Sequence, residues 1–345
     1  MSSALDPLDV LRRLVNGHHL DAPTMDALFE AMMHGTLDPP QTAAVLSLMA
    51  ARDPDPQELA AAARVMRRHV TAIPVAGDRD RLLDTAGTGG APKTFNVSTA
   101  AAIVAAGGGI PVAKHGNRSR TGRGSAEVLA ALGVNIDAGP DIQGACLEQA
   151  GVAFCFAIHH HPATRFVVPV RRSLAFPTIF NLLGPLTNPG GARRQLLGVW
   201  DQRFGRLMAE ALLQLGAIRG IVAHAADGLD EISISAPTTL WHVEEGGIRE
   251  EVIAPDMVGL PVHPIESVTA GDLDDAAAMV QLVLDGSDQG PARDMVLINA
   301  AAAMLAGGGV DDLQEGVERA RSVIDDGLAV RTLQLLADVS QSTDV

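Results

Sequence analysis

From "RLLDTAGTGG" at Arg81 onward, short apolar runs alternate with alanine-rich stretches of helical spacing, and glycine-bearing loops join them. "GIPVAKHG" reads as strand then loop, "SAEVLAALG" as helix, and "VAFCFAIHH" as strand then loop; "FGRLMAEALLQLG" and "GIVAHAADG" repeat the alternation. Such alternation predicts a largely parallel sheet covered by helices. Ligands of such sheets sit at the carboxyl ends of the strands. Before this stretch, residues 1 to about 72 read as helices only. "DPLDVLRRLV", "APTMDALFEAMMHG", "PPQTAAVLSLMAAR" and "DPQELAAAARVMRRHV" carry apolar residues at helical spacing, each opened by an Asp-Pro, Ala-Pro or Pro-Pro start that suits a first helical turn. The tail "DLQEGVERARSVIDDGLAVRTLQLLADV" reads as two amphipathic helices.

Composition narrows what the loops can serve. Aromatics are 3% of the chain and tyrosine is absent, which argues against a base-stacking platform. A net charge of −15 argues against a nucleic-acid or anionic-membrane surface, since either needs a basic patch. Against that background the only two lysines, Lys93 and Lys114, fall in one glycine-rich segment. Cys146 and Cys155 lack CxxC spacing, so two buried reduced thiols in a cytoplasmic protein are expected. The N-terminal "MSSALDPLDVLRRLV" has no basic start followed by an apolar run, and no signal peptide is indicated.

Three segments carry the chemistry. "GTGGAPKTFNVST", Gly87 to Thr99, approaches both a P-loop and a dinucleotide fingerprint, and both fail at Pro92, which has no N–H to offer a phosphate. Its glycines still permit close backbone approach, and Asn96, Ser98 and Thr99 stand where a helix begins. Exposed N–H groups, hydroxyls and the positive end of the helix dipole together predict an anion site. "AKHGNRSRTGRGSAEVL" sets Lys114, Arg118, Arg120 and Arg123 among Gly116, Gly122, Gly124, Ser119, Thr121 and Ser125, a second anion seat with clamp-forming cations. Two seats on consecutive strand–helix loops predict a ligand with two separated phosphate groups. "DGLDEIS" places Asp230 beside Glu231, and a few carboxylates with substrate phosphates suit Mg²⁺. In "AIHHHPATRFVVPVRRSLAFPTIFNLLGPLTNPGG" the consecutive His159, His160 and His161 lack the helical spacing of a metal pair and read as loop histidines. "TIFNLLGPLTNP" reads as a rigid turn that can wall a flat apolar substrate.

"GTGG…TFNVST", "KHGNRS", "GSAEVL", "TIFNLLGPLTNP" and "DGLDEIS", in this order and approximate spacing, resemble the anthranilate phosphoribosyltransferase family of tryptophan biosynthesis. The resemblance spans essentially the whole chain. It implies an α/β fold: a small N-terminal helical domain, residues 1–72, and a large α/β domain with a mainly parallel sheet, residues 73–345, of the nucleoside phosphorylase/phosphoribosyltransferase kind. A segment near 165–195 would pack with the helical domain. It implies Mg²⁺-dependent transfer of the phosphoribosyl group from phosphoribosyl pyrophosphate to anthranilate, by a cytoplasmic homodimer joined through the small domains, with neither nucleic acid nor membrane as partner.

By the same resemblance Gly87, Gly90, Thr94, Asn96, Ser98, Thr99, Lys114, Asn117, Arg118, Ser119 and Ser125 would hold phosphoribosyl pyrophosphate. Lys114 and Arg118 would act in catalysis. Ser98, Asp230 and Glu231 would bind magnesium, and Gly87, His115 and Asn117 would border the anthranilate. Three departures stand out. Ala91 replaces a usual Asp in a loop one residue shorter, and the loop between Arg118 and Ser125 is also one residue short. Pro177 occupies the place of the Arg that receives the anthranilate carboxylate, with Arg171 and Arg172 as neighbouring cations. Pro177 keeps open a related transferase acting on another aromatic amine or base. A non-catalytic nucleic-acid-binding relative is the remaining alternative.

Overall fold

The structure, a computed structural model, describes residues 5–91, 94–119 and 122–342. Four helices come first: α1 (Pro7–Val15), α2 (Ala22–His34), α3 (Pro39–Ala50) and α4 (Pro56–Arg68). An aspartate stands at each N-cap with a proline in the first turn, and Asp6, Asp21 and Asp55 accept the N–H groups of Leu8, Thr24 and Gln57. Proline cannot donate and aspartate can accept, so each start is specified twice.

The α/β part runs β1 (Leu83–Gly87), α5 (Val97–Gly107), β2 (Val112–Gly116), α6 (Ser125–Ala131), α7 (Pro140–Ala150) and β3 (Val152–Phe156). There follow α8 (Ala157–His160), α9 (Val168–Leu174), α10 (Ile179–Leu183), β4 (Arg194–Gly198), α11 (Arg203–Gln214) and β5 (Arg219–Ala225). The chain ends with β6 (Thr238–Glu244), β7 (Gly247–Ile253), α12 (Leu273–Leu284), α13 (Pro291–Gly307), α14 (Leu313–Asp325) and α15 (Leu328–Ser340). The sheet order is β3-β2-β1-β4-β5-β6-β7. β1 to β5 are parallel, β6 pairs antiparallel with β5, and β7 pairs antiparallel with β6. The chain reverses its direction of travel across the sheet between β1 and β4, the position where open α/β sheets hold ligands.

Strand alternation divides the sheet's two faces. Leu196, Ile221, Ala223 and Leu240 face a core containing α5 and α13, whereas Leu197, Val222, Trp241 and Val243 join the core of the N-terminal helices and α11. Helices α5 and α13 are buried nearly all round and rich in alanine. Small side chains let helices approach closely: a Cβ on Gly316 of α14 would lie 2.8 Å from the Ala301 Cα of α13. Val167, Val170, Ile179, Phe180 and Leu183 pack with the N-terminal helices, the Phe180 ring centred 5.6 Å from Phe29. The expected rigid turn at "TIFNLLGPL" is instead α10 continued by a 3-10 turn over Gly184–Leu186. Cys146 and Cys155 are buried free thiols. Among the described residues no helix is long and apolar enough to cross a membrane.

The helical domain is organised around one buried carboxylate. Glu58 is fully buried. It accepts from Arg52 at 2.6 and 2.8 Å and from the N–H groups of Leu20 and Asp55 at 2.8 and 3.0 Å, and pairs with His19 at 2.9 Å. Burial pushes its pKa up, but the bonds from Arg52, Asp55, Leu20 and His19 prevail and hold it at about 2, from an ordinary 4.5. A depressed folded-state pKa stabilises above the unfolded value and is lost as pH falls through the folded one. That difference amounts to about 3 kcal/mol. Glu58→Gln should therefore lower stability by about 3 kcal/mol at pH 7. Denaturant midpoints of the variant and the parent should converge as pH falls from 4.5 towards 2.

Candidate active site

Three adjacent strands, β2, β1 and β4, end on Gly116, Gly87 and Gly198, with Gly87 directly opposite Gly198. The Gly87 and Gly198 ends must lack side chains because the loop after β5 lies across them, and Gly116 because Ser125 and Phe154 crowd it. A Cβ on Gly198 would fall on the Asp230 carbonyl, and one on Gly87 would come 2.8 Å from Asp230 Oδ2. Beyond β1, Gly89 and Gly90 take φ of +68° and +103°, left-handed conformations that glycine adopts without strain. That turn aims the Gly89 N–H at Asp230 Oδ2, 3.2 Å away. Thr88 fastens the loop to β4, its N–H and hydroxyl both donating to the Gly198 carbonyl. Pro92, at which both nucleotide motifs fail, and Lys93 lie outside the described residues, as do Arg120 and Thr121.

Glu231 reaches the start of α5. It accepts the Thr94 hydroxyl at 2.8 Å and the Ser98 N–H at 3.3 Å. Asn96 caps α5 in a left-handed conformation, φ +68°, without a side-chain cap bond, and the buried Thr99 hydroxyl has no partner among the described residues. Under this turn lies Lys114, whose ammonium donates to the Thr85 carbonyl at 2.7 Å and to the Thr85 and Ser98 hydroxyls at 3.3 Å. Burial lowers its pKa to about 8, against the upward pull of Asp84 and Glu231. Burial raises Glu231 to about 7, reinforced by Asp230 and opposed by Thr94, Ser98 and Lys114. Burial likewise raises Asp84 to about 6, against the His115 N–H and the Lys114 charge. Adjacent carboxylates plus the Ser98 hydroxyl form an oxygen-only donor set that fits a hard divalent cation.

The second loop is built differently from its motif. Glu127 accepts the Gly124 N–H at 2.9 Å and the Ser119 N–H at 3.4 Å, so the start of α6 is capped by its own side chain. What remains is a set of short polar groups. Asn117 Oδ1 accepts the Arg118 N–H, the Ser119 hydroxyl accepts the Arg123 N–H, and the Ser125 hydroxyl donates to the Asn117 carbonyl. Arg118 is exposed, its guanidinium 5.6 Å from the centre of the Phe156 ring.

Successive side chains of β2 leave the strand on opposite faces. Lys114 meets α5, whereas His115 turns towards the segment after β3. His115 Nδ1 lies 3.1 Å from the Gly184 carbonyl. A carbonyl can only accept, so Nδ1 carries the proton and Nε2 accepts from His161 Nε2 at 3.3 Å. Burial, with the neighbouring histidines, pushes His115 well below its ordinary pKa, and burial lowers His161 to about 4. Both rings are therefore neutral near pH 7. The expected loop histidines divide three ways. His159 pairs with Asp137 on the surface, His160 is buried in α8 against the Thr71 carbonyl, and His161 backs His115. Asp84 and His161 escaped sequence reasoning; an aspartate inside the apolar run "LLDTAG" was the available signal for the first. Pro177 is exposed, and Arg171 lies half-buried over the Phe180 ring, 5.0 Å from its centre.

A helical domain on an α/β domain, with glycine-ended strands beneath an acidic loop and a buried lysine, defines a glycosyl transferase of the two-domain kind. Models of the glycosyl transferase family match residues 8–70 (helical bundle domain) and 79–330 (a/b domain). An anthranilate phosphoribosyltransferase of Rubrobacter xylanophilus is 43% identical over 335 residues, covering 96% of this chain and 97% of that one. The crystal structure of the Thermus thermophilus anthranilate phosphoribosyltransferase superposes with a TM-score of 0.91 at 39% identity, over 97% of this chain and 100% of that one. The Saccharomyces cerevisiae enzyme, solved in complex with PRPP and Mg, gives 0.86 at 25% identity over 98% and 99%. The chain belongs to the anthranilate phosphoribosyltransferase family.

Gly198→Ala should test the acidic loop. The new methyl must displace Asp230, and misplacing a reacting group by about 1 Å can cost roughly 100-fold. Turnover should fall by about that factor while the far-ultraviolet circular dichroism stays that of the parent.

Proposed function

We propose that this chain transfers the phosphoribosyl group of phosphoribosyl pyrophosphate to the amine of anthranilate, releasing pyrophosphate, as a step of tryptophan biosynthesis. The observation that carries the proposal is the Asp230–Glu231 loop, bonded to Gly89, Thr94 and Ser98 and lying over the Lys114 ammonium. Gly87, Gly90, Thr94, Asn96, Ser98, Thr99, Lys114, Asn117, Arg118, Ser119 and Ser125 then hold the donor. Ser98, Asp230 and Glu231 supply oxygen ligands for Mg²⁺, which when bound neutralises charge on the leaving pyrophosphate.

The bond from the anomeric carbon to pyrophosphate breaks as the amine nitrogen bonds that carbon, and the amine then loses a proton. Lys114 and Arg118 oppose the charge that accumulates on the leaving oxygens. Gly87, Asn117 and His115 border the acceptor. His115, held neutral and fixed by Gly184 and His161, offers a ring edge rather than a cation, which leaves the acceptor's carboxylate to another group. Arg171 supports that role: it is half-buried on Phe180 of α10, the helix whose end His115 touches. A cation there stands in for the residue replaced by Pro177.

Loss of anthranilate fluorescence on mixing with phosphoribosyl pyrophosphate and Mg²⁺ tests the reaction. A steady enzyme-dependent decay is expected, and no decay with donor binding intact would assign a different acceptor. Lys114→Ala and Asp230→Asn should each lower kcat by about 10²–10³, the cost of removing one preorganised charge-stabilising group; unchanged rates in both would refute the assignment. Arg171→Ala should raise the KM for anthranilate by at least about tenfold, the worth of a charged hydrogen bond, and leave the KM for the donor unchanged.

A further inference from the structure

Outside the strand-end site, α2 and α4 bring together three side chains that the transfer chemistry does not use. Glu30 and His34 are one helical turn apart on α2, and His69 caps the end of α4. His69 Nε2 lies 2.6 Å from Glu30 Oε2; His34 Nδ1 lies 3.5 Å from the same oxygen and 2.9 Å from the Glu30 backbone carbonyl. The two imidazole rings meet edge-on, their centroids 5.1 Å apart. One ligand atom from each residue falls within 4.8 Å of the other two. Glu30's other oxygen, Oε1, is occupied by Arg68 at 2.7 Å, and Arg68 is itself held by Asp26 at 2.7 Å. The carboxylate is thus oriented from behind, with one oxygen left for the histidines.

Two imidazole nitrogens and one carboxylate oxygen are the donor set of a borderline divalent ion of the Zn²⁺ class, and not of Mg²⁺, which prefers oxygen alone. An oriented carboxylate with a hydrogen-bonded rear oxygen is the outer-shell support that such ligands need. His34 is largely solvent-exposed, its side chain at 62% of full exposure, so an ion can enter and water can take a fourth position.

We propose that Glu30, His34 and His69 form a zinc-class site separate from the acidic loop, stapling the end of α2 to the end of α4. The staple would act at the junction of the two domains. The chain leaves α4 directly into Thr71, whose N–H and carbonyl bond His160. Gly35, just past His34, packs against the Phe166 ring. Fixing His34 to His69 would therefore hold two of the contacts between the helical and α/β domains.

Titration calorimetry of the full chain with Zn²⁺, in excess Mg²⁺ to fill the acidic loop, provides the test. One equivalent should bind in the parent and in Asp230→Asn. Loss of an outer-shell partner alone costs about 10–100-fold in affinity, so His34→Ala and His69→Ala, each lacking a ligand, should bind at least that much more weakly. Zinc should raise the Tm of the parent and not that of His34→Ala, whose exposed side chain can be removed without disturbing the fold. No zinc binding in the parent, or binding that survives in His34→Ala and disappears in Asp230→Asn, would overturn the proposal.

Discussion

A lysine ammonium placed inside a sheet–helix interface governs the rest of this molecule. Lys114 is buried, so protein oxygens must meet it: the carbonyl and hydroxyl of Thr85, the hydroxyl of Ser98, and the charges of Asp84 and Glu231. Each of those groups fixes something else. Ser98 sets the first turn of α5, Glu231 ties the loop after β5 to that turn, and Asp84 holds the β2 backbone through the His115 N–H. An isolated buried charge is costly; several partial satisfactions from different elements make the cation tolerable and lock those elements to one another.

The scarcity of aromatic residues shapes the packing around that centre. With alanine as the main core residue of α5 and α13, helices sit close to one another and to the sheet. Glycine does the same for strands: without side chains at Gly87 and Gly198 the acidic loop rests directly on the strand ends. The price is that a single added methyl at Gly198 meets backbone, which cannot rotate aside.

Much of this was legible in the sequence, and the reasons are local. The four N-terminal helices announce themselves through Asp and Pro at their starts, and the parallel strands through short apolar runs between helices. Contacts were hidden where the partners are remote in the chain. Thr94 and Glu231 are 137 residues apart, and nothing near "HHH" points to His115. The β6–β7 hairpin escaped because β7 is an edge strand with three consecutive charged residues, Arg249, Glu250 and Glu251, whose polarity masks the period of a strand. At α6 the glycine- and serine-rich motif reads as an open helix start, and only the fold reveals that Glu127 turns back to close it.

The alternation of β2 has an evolutionary consequence. Lys114 and His115 are neighbours in sequence, yet one serves the face under α5 and the other the face towards α10. The two halves of the reaction thus share a strand but not a wall. Substitutions along α8 to α10 can reshape the pocket for the attacking group while the phosphate-facing surface stays untouched. Such a scaffold can exchange its acceptor by drift on one side of a single strand.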